Sequence, residues 1–173
     1  MKVITSLVKR IDNFSERSGE IISWLVLVLV GLSVFEVFMR KVLGSPTIWT
    51  HETLAYVFGA HFMLALGYTL LYKGHVNVDF IVLRFSVKTQ AILEIVNFFL
   101  FIGLICAIWL WQGTIYAQTS WGMLEKAPSA FNSPVYPAKT IIPVAALLLA
   151  MQAVSDLIKN IVFVTKGVRL CSR

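Results

Sequence analysis

The chain has 173 residues, of which 58% are hydrophobic and only 14% are charged, and its mean hydropathy is +0.79. Soluble proteins average about 45 to 50% apolar and about 25% charged residues, and a chain of this size cannot bury so much apolar surface in a water-soluble core. Soluble enzymes and DNA-binding domains are therefore poor candidates. The net charge of +6 does not indicate a nucleic-acid partner, because the basic residues are scattered between apolar runs. This composition indicates an integral membrane protein.

The first 20 residues form a leader that mixes basic and acidic side chains. Apolar residues recur in it at helical spacing, at Ile4, Leu7, Val8, Ile11 and Phe14. This pattern predicts an amphipathic helix that lies in the membrane interface before the chain enters the membrane, with a frayed tail as the alternative. The apolar run that follows is too long for a signal peptide and has no small-residue cleavage site, so we expect an uncleaved anchor.

Four apolar stretches are long enough to cross a bilayer, which needs about 20 residues per helix. They cover about residues 21–42, 50–72, 91–116 and 138–164, and each is followed by a glycine, proline or polar stop signal. The predicted fold is an all-α integral membrane protein with four transmembrane helices, short interfacial helices and one membrane domain over residues 1–173. Basic residues are concentrated in the leader, between the second and third spans and at the C-terminal end, which places both termini in the cytoplasm.

Glu36 is the acidic residue that most needs an explanation, because an ionisable group in hydrocarbon costs at least about 2.5 to 3.5 kcal/mol. It lies in the outer half of the first span, and Arg40 follows one helical turn later. This spacing predicts a structural pair that holds an interface or a lipid headgroup. The alternative is a small proton-coupled exporter that uses Glu36. Glu52 opens the second span after Trp49, where we expect it to satisfy free amides of the first helical turn.

The other acidic residues near the spans are interpreted as structural. Glu20 and Glu94 lie near the starts of their helices, where the helix dipole tolerates a carboxylate. Asp156 precedes Lys159 by three residues, which predicts an ion pair on one helical face.

Histidine and cysteine give no sign of a metal or haem site. His51 and His61 are about 15 Å apart along one helix and cannot share a metal, and His75 lies at the opposite interface. Cys106 and Cys171 lack the paired spacing of a redox or metal motif. No nucleotide-binding or catalytic motif occurs either. We therefore expect no cofactor in this chain, and a membrane-bound redox or lipid-modifying enzyme is the least favoured hypothesis.

Small residues on the second and third spans predict close helix packing, because they leave a low ridge where another backbone can approach. The residues are Ala55, Gly59, Met63 and Gly67 on the second span, and Gly103 and Ala107 on the third. Whether the packed helix belongs to this chain or to another subunit is open at this stage. The sequence shows no inverted repeat or broken helix pair, and we expect no polar cavity within the bundle. A scaffold or accessory role is therefore favoured over a self-sufficient carrier.

The order of these features resembles the small membrane subunit of tripartite ATP-independent periplasmic (TRAP) transporters. Four spans are present, Arg40 closes the first, Pro46 lies in a short outer turn, and Trp49 and Glu52 open the second. The most specific likeness is in residues 74–79, where Gly74, His75 and Asp79 match the family's glycine-histidine-valine-x-valine-aspartate signature. We interpret His75 and Asp79 as structural residues of a short interfacial helix.

The resemblance implies a subunit that does not itself move solute. It implies a multi-pass protein of the bacterial inner membrane that associates with a large membrane subunit, which carries the sodium and substrate sites. A periplasmic binding protein would deliver an organic anion such as a dicarboxylate or sialic acid. The small-residue ridges would then contact the large subunit, and membrane lipids would cover other faces. Eight residues would face the periplasm or lipid, and some would touch the binding protein: Glu36, Arg40, Lys41, Trp49, Glu52, Trp121, Lys126 and Phe131.

Overall fold

A computed structural model describes residues 2–72 and 84–167 of the chain. The signature residues Gly74, His75 and Asp79 lie outside the described residues, as does Cys171. The described residues form seven α-helices and one π-helical turn. These are α1 (Lys2–Ser23), α2 (Leu25–Lys41), α3 (Thr50–Leu64), α4 (Leu66–Leu71), α5 (Val87–Asn97), the π turn (Phe98–Ile102), α6 (Gly103–Met123) and α7 (Tyr136–Lys166).

These elements combine into four membrane-length helices, as the sequence predicted. They cover Val3–Lys41, Thr50–Leu71, Val87–Met123 and Tyr136–Lys166. The leader is helical and continues into the first span, with an irregular step at Trp24, where the backbone N–H bonds the carbonyl of Ile21 at 3.2 Å. The placement of the leader in the membrane interface remains a prediction.

The third helix is longer than its apolar run at both ends. It begins after Ser86, whose hydroxyl accepts a hydrogen bond from the Thr89 N–H at 3.3 Å, and it ends where Leu124 adopts a left-handed conformation with φ of 46°. Hydropathy detects only the part of a helix inside the hydrocarbon layer of about 30 Å, whereas a helix of 37 residues is about 55 Å long. The loop predicted after residue 116 therefore shrinks to residues 124–135, which we call the outer loop.

Helix α7 is the central element of the bundle. It packs against α1, α3, α4, α5, the π turn and α6, whereas the chief neighbours of α2 are α1 and α3. The buried residues of α7 are mostly small or polar: Lys139, Ala145, Ala146, Leu149, Gln152, Ala153 and Ser155. Large apolar side chains elsewhere face outward, as expected for helices that lipid or another membrane protein surrounds.

Two glycines allow the closest approaches to α7. A Cβ atom at Gly113 of α6 would lie 2.9 Å from Cγ2 of Ile142, and one at Gly67 of α4 would lie 3.1 Å from the carbonyl oxygen of Leu148. A Cβ atom at Gly113 would require the Ile142 side chain to move, and one at Gly67 would require the backbone of α7 to shift by a few tenths of an ångström. The close approach of α4 and α6 to α7 therefore uses these two positions.

The π turn is a feature that hydropathy did not predict. Its carbonyl at Phe98 would lie 2.9 Å from a Cβ atom at Gly103, the first residue of α6. Gly103 therefore leaves room for the widened turn within its own helix, which is a different role from the predicted contact with another helix.

Candidate functional site

A polar cluster fastens α1 to α7 inside the bundle. Asp12 of α1 accepts hydrogen bonds from Ser155 Oγ at 2.8 Å, from Gln152 Nε2 at 3.2 Å and from Lys159 Nζ at 2.9 Å. Lys159 also pairs with Asp156 at 2.9 Å, which confirms the predicted pair. The side chains of Asp12 and Lys159 are only 14% and 13% exposed. We call these five residues the α1–α7 polar cluster, and the role of Asp12 in it was not predicted.

A cleft of about 290 Å³ lies beside this cluster, between α4, α5, the π turn, α6 and α7. Its walls are mainly apolar, with four polar residues among them: Glu94, Asn97, Asp156 and Asn160. Asn160 donates a hydrogen bond to Glu94 at 2.6 Å. The sequence did not predict this mainly apolar cleft, because residues from distant parts of the sequence meet here.

Glu36 makes the structural pair that its spacing predicted. Its Oε1 accepts a hydrogen bond from Arg40 at 2.9 Å, and its Oε2 accepts one from the hydroxyl of Thr47 at 2.5 Å. Thr47 also contacts the hydroxyl of Thr50, the first residue of α3. One carboxylate oxygen of Glu36 thus pairs within α2, and the other fixes the turn between α2 and α3.

Glu52 has a different role from the predicted one. The N-cap of α3 is Trp49, which makes no side-chain cap bond, and Glu52 instead accepts a hydrogen bond from Ser133 of the outer loop. Ser133 also bonds the hydroxyl of Tyr56 at 2.9 Å. The start of α3 and the outer loop therefore lie together at one end of the bundle.

A second carboxylate fixes the outer loop where it leaves α6. Glu125 accepts hydrogen bonds from Lys139 Nζ at 2.5 Å and from Ser120 Oγ at 2.7 Å. These two donors lower the pKa of Glu125 below its ordinary value. Lys139 also lies 3.9 Å from the centre of the Tyr116 ring. Together with Glu52, this network holds the outer loop at both of its sides.

The other residues predicted for the outer face have exposed side chains: Arg40, Lys41, Trp49, Trp121, Lys126 and Phe131. Trp121 in addition donates a hydrogen bond from Nε1 to the hydroxyl of Thr140 at 2.8 Å. Their contact with lipid or with a binding protein remains a prediction.

The predicted helix-packing residues divide into two groups. Gly67 and Gly103 are used within this chain, against Leu148 and the π turn. Gly59 has open space around its Cβ position, Ala55 and Ala107 are exposed, and Met63 is half-buried. The outward group stays available to another membrane helix.

Gly113 and Ala117 were missed by the sequence interpretation, although they are four residues apart. Both are buried on α6, on the face that packs against α7. The small-x-x-x-small spacing was the signal that could have identified them.

Metal ligation has no support in residues 2–72 and 84–167, where no group of three or more His, Cys, Asp or Glu side chains is placed to hold a metal ion. His61 lies 3.1 Å through Nδ1 from the carbonyl oxygen of Ile22 and so links α3 to the end of α1.

Comparison with protein families gives a match that covers most of the chain. The family model described as "Tripartite ATP-independent periplasmic transporters, DctQ component" matches residues 12–162. That range begins at Asp12 of the α1–α7 polar cluster and includes parts of all four membrane-length helices. No curated protein and no solved structure matches the chain. The family consists of transporter components rather than enzymes, and the chain belongs to it as the small membrane component of a TRAP transporter.

Proposed function

We propose that this chain is the accessory subunit of a sodium-driven TRAP transporter that imports an organic anion, of the C4-dicarboxylate or sialic-acid type, across the bacterial inner membrane. In this role it scaffolds a large membrane subunit that carries the sodium and substrate sites. The family match over residues 12–162 is the observation that carries the proposal.

The internal bonding of the bundle supports a scaffold over a carrier. Lys159 bonds both Asp12 and Asp156, and the two carboxylate oxygens of Glu36 accept hydrogen bonds from Arg40 and Thr47. A carboxylate held in this way is a poor proton carrier, because each protonation step must break a charge-assisted bond. The exporter hypothesis is therefore disfavoured.

Outward small residues are the proposed contacts with the large subunit. Ala107 lies in a shallow, open groove on α6 with Trp111, Thr114 and two other residues, and Gly59 leaves an open position on α3. Small residues permit close approach of a second membrane helix, where van der Waals contact rather than hydrophobicity drives association.

Co-purification tests these contacts. Gly59→Leu and Ala107→Leu should each reduce the amount of large subunit that co-purifies with this chain, because a leucine fills the space a partner helix needs. Gly31→Leu on α2 is the matched control, since Gly31 also has no atom within 4 Å of its Cβ position. If the control loses the partner while the other variants keep it, the contact faces are wrong but the scaffold role stands.

Vesicle transport tests the role itself. The chain reconstituted alone should move no solute, whereas the complex with the large subunit and the binding protein should show sodium-dependent uptake. Solute movement by the chain alone that Glu36→Gln abolishes would instead support the exporter.

The outer loop is the proposed contact with the periplasmic binding protein. Glu52 and Glu125 hold this loop in one conformation, which reduces the entropy that binding would cost. Lys126→Ala and Phe131→Ala should weaken binding of that protein to the assembled complex, by about tenfold in Kd for the pair. Lys88→Ala serves as control, since the positive-inside rule assigns Lys88 to the cytoplasmic side; an equal loss there would contradict the proposed contact.

A further inference from the structure

Helix α1 presents one narrow face to the bundle. Val8 and Ser15 are 1% and 3% exposed, Gly19 packs against the ring of Tyr68, and Asp12 belongs to the α1–α7 polar cluster. These positions recur every three or four residues, so they form a single stripe along the helix. The rest of α1 faces away from the chain.

Two of the three acidic side chains of α1 face the bundle, whereas three of its basic side chains face away from it. Asp12 bonds Lys159, and Glu16 accepts a hydrogen bond from the hydroxyl of Tyr72 at 3.0 Å. Lys9, Arg10 and Arg17 are exposed, and they make no ion pair with any residue of 2–72 or 84–167. The outward face of α1 therefore carries a net positive charge, with Glu20 as its one acidic residue.

The outward face itself has two sides. At about 100° of rotation per residue, Lys9, Arg10 and Arg17 fall in one sector, which also holds Ser6, Asn13 and Glu20. The adjacent sector holds large apolar side chains that are 52% to 72% exposed: Val3, Leu7, Phe14 and Ile21. Helix α1 thus has a bundle face, a basic sector and an apolar sector side by side.

These three sectors agree with one environment. In water the apolar sector would be exposed at a cost, and in hydrocarbon the three basic side chains would be unpaired at a larger cost. At the level of the lipid headgroups the apolar sector contacts acyl chains while the basic sector meets phosphates. Trp24, 68% exposed where α1 ends, is the type of residue that favours this level.

We propose that Lys9, Arg10 and Arg17 bind the headgroups of anionic phospholipids and so hold α1 against the membrane surface. Arginine suits this contact because its guanidinium forms paired hydrogen bonds to phosphate oxygens. The α1–α7 polar cluster fixes the rotation of the helix and thereby keeps the basic sector turned away from the bundle. The contact is electrostatic, so its strength decreases as salt rises.

The test measures lipid preference of the full-length chain. Native mass spectrometry counts phosphatidylglycerol and phosphatidylcholine molecules retained by the chain after purification in a mixture of both. In the triple variant K9Q/R10Q/R17Q, the ratio of retained phosphatidylglycerol to phosphatidylcholine should fall by at least about tenfold. The matched control R84Q/K88Q/K166Q removes three exposed basic residues elsewhere and should retain the preference. K9R/R10K/R17K, which keeps the charge, should retain it too.

Two results would overturn the proposal. One is an unchanged phosphatidylglycerol preference in the α1 variant, and the other is an equal loss in the matched control. If the α1 variant keeps its lipid preference and also loses an acidic protein partner from the complex, the basic sector is a protein contact instead.

Discussion

Helices α2 and α7 are both part of helices long and apolar enough to cross a membrane, yet their surroundings within the chain are opposite. The structure gives α2 no buried residue, and side chains such as Leu27, Val34 and Val37 are more than 60% exposed. Helix α7 is surrounded by six other elements and has seven buried residues. This difference in burial depends on which residues of each helix contact another helix of the chain.

Most large apolar residues of α2 and several of α7 are exposed, and the buried positions of α7, apart from Leu149, are alanine, serine, glutamine and lysine. Lipid is as apolar as leucine, so burying leucine against another helix gains little, and close contact and hydrogen bonds decide the packing. Hydropathy therefore locates the membrane helices, whereas small and polar residues determine which helices are neighbours.

The largest expected loss of stability comes from a large side chain placed between α6 and α7. Gly113→Leu should lower the free energy of unfolding by about 3 kcal/mol, because the new side chain meets Ile142 and the backbone of Pro143. The measurement is denaturant unfolding in mixed micelles. Gly122→Leu on the same helix, where no atom lies within 4 Å, should change stability little. Equal losses for both would contradict the packing role of Gly113, because leucine favours a helix more than glycine does and propensity cannot explain a loss.

The next effect is expected in the α1–α7 polar cluster. Lys159→Met leaves Asp12 and Asp156 without their cation and should cost about 2 to 3 kcal/mol of unfolding free energy. Adding Asp12→Asn to that variant should recover part of the loss. Lys166→Met, on the exposed end of the same helix, is the control and should have almost no effect. No recovery in the double variant would argue against the Asp12 contact.

A smaller effect should come from a direct comparison of leucine truncations on α2 and α7. Leu149→Ala removes a side chain that is 8% exposed and should cost about 1 to 2 kcal/mol, less than in a soluble core because lipid also solvates leucine. Leu27→Ala on α2, where the leucine is 61% exposed, should change the isolated chain by less than about 0.5 kcal/mol. The same unfolding assay measures both, and equal costs would contradict the comparison.

The smallest effect concerns pH at the outer loop. Hydrogen bonds from Lys139 and Ser120 lower the pKa of Glu125 below its ordinary value of 4.5. At a pH between the folded-state pKa and 4.5, the unfolded chain therefore binds more protons than the folded chain. The contribution of Glu125 to stability is present above pH 4.5 and is lost as the pH falls through the folded-state pKa. Glu125→Gln should differ from the unaltered chain at neutral pH and converge with it in acid. A difference in unfolding free energy that becomes larger at acid pH would contradict the predicted pH dependence.

Contacts within one helical turn were predictable from sequence, and contacts between helices were not. Glu36 with Arg40 and Asp156 with Lys159 follow from spacings of four and three residues. Asp12 with Lys159 joins positions 147 residues apart, and no spacing rule reaches that far.

The direction in which small residues pack could also not be predicted from the sequence. Gly59 and Gly67 belong to one predicted ridge, yet only Gly67 packs against α7. The helix is interrupted between them at Ala65, so a ridge drawn for one regular helix does not continue on the same side. The π turn escaped prediction because its residues are as apolar as the helix around it.

The central position of α7 has a consequence for biosynthesis. Every element that α7 contacts precedes it in the chain, so the ribosome delivers the earlier membrane helices before their common neighbour exists. Each of these helices enters the bilayer with its backbone hydrogen bonds already satisfied, and the contacts among α1 to α4 can form at this stage. The helix made of α5, the π turn and α6 joins the bundle mainly through α7, so assembly is completed only after Tyr136–Lys166 has been translated and inserted. A nascent chain that stalls before this point is therefore membrane-embedded but incompletely assembled, and is a ready substrate for membrane proteases.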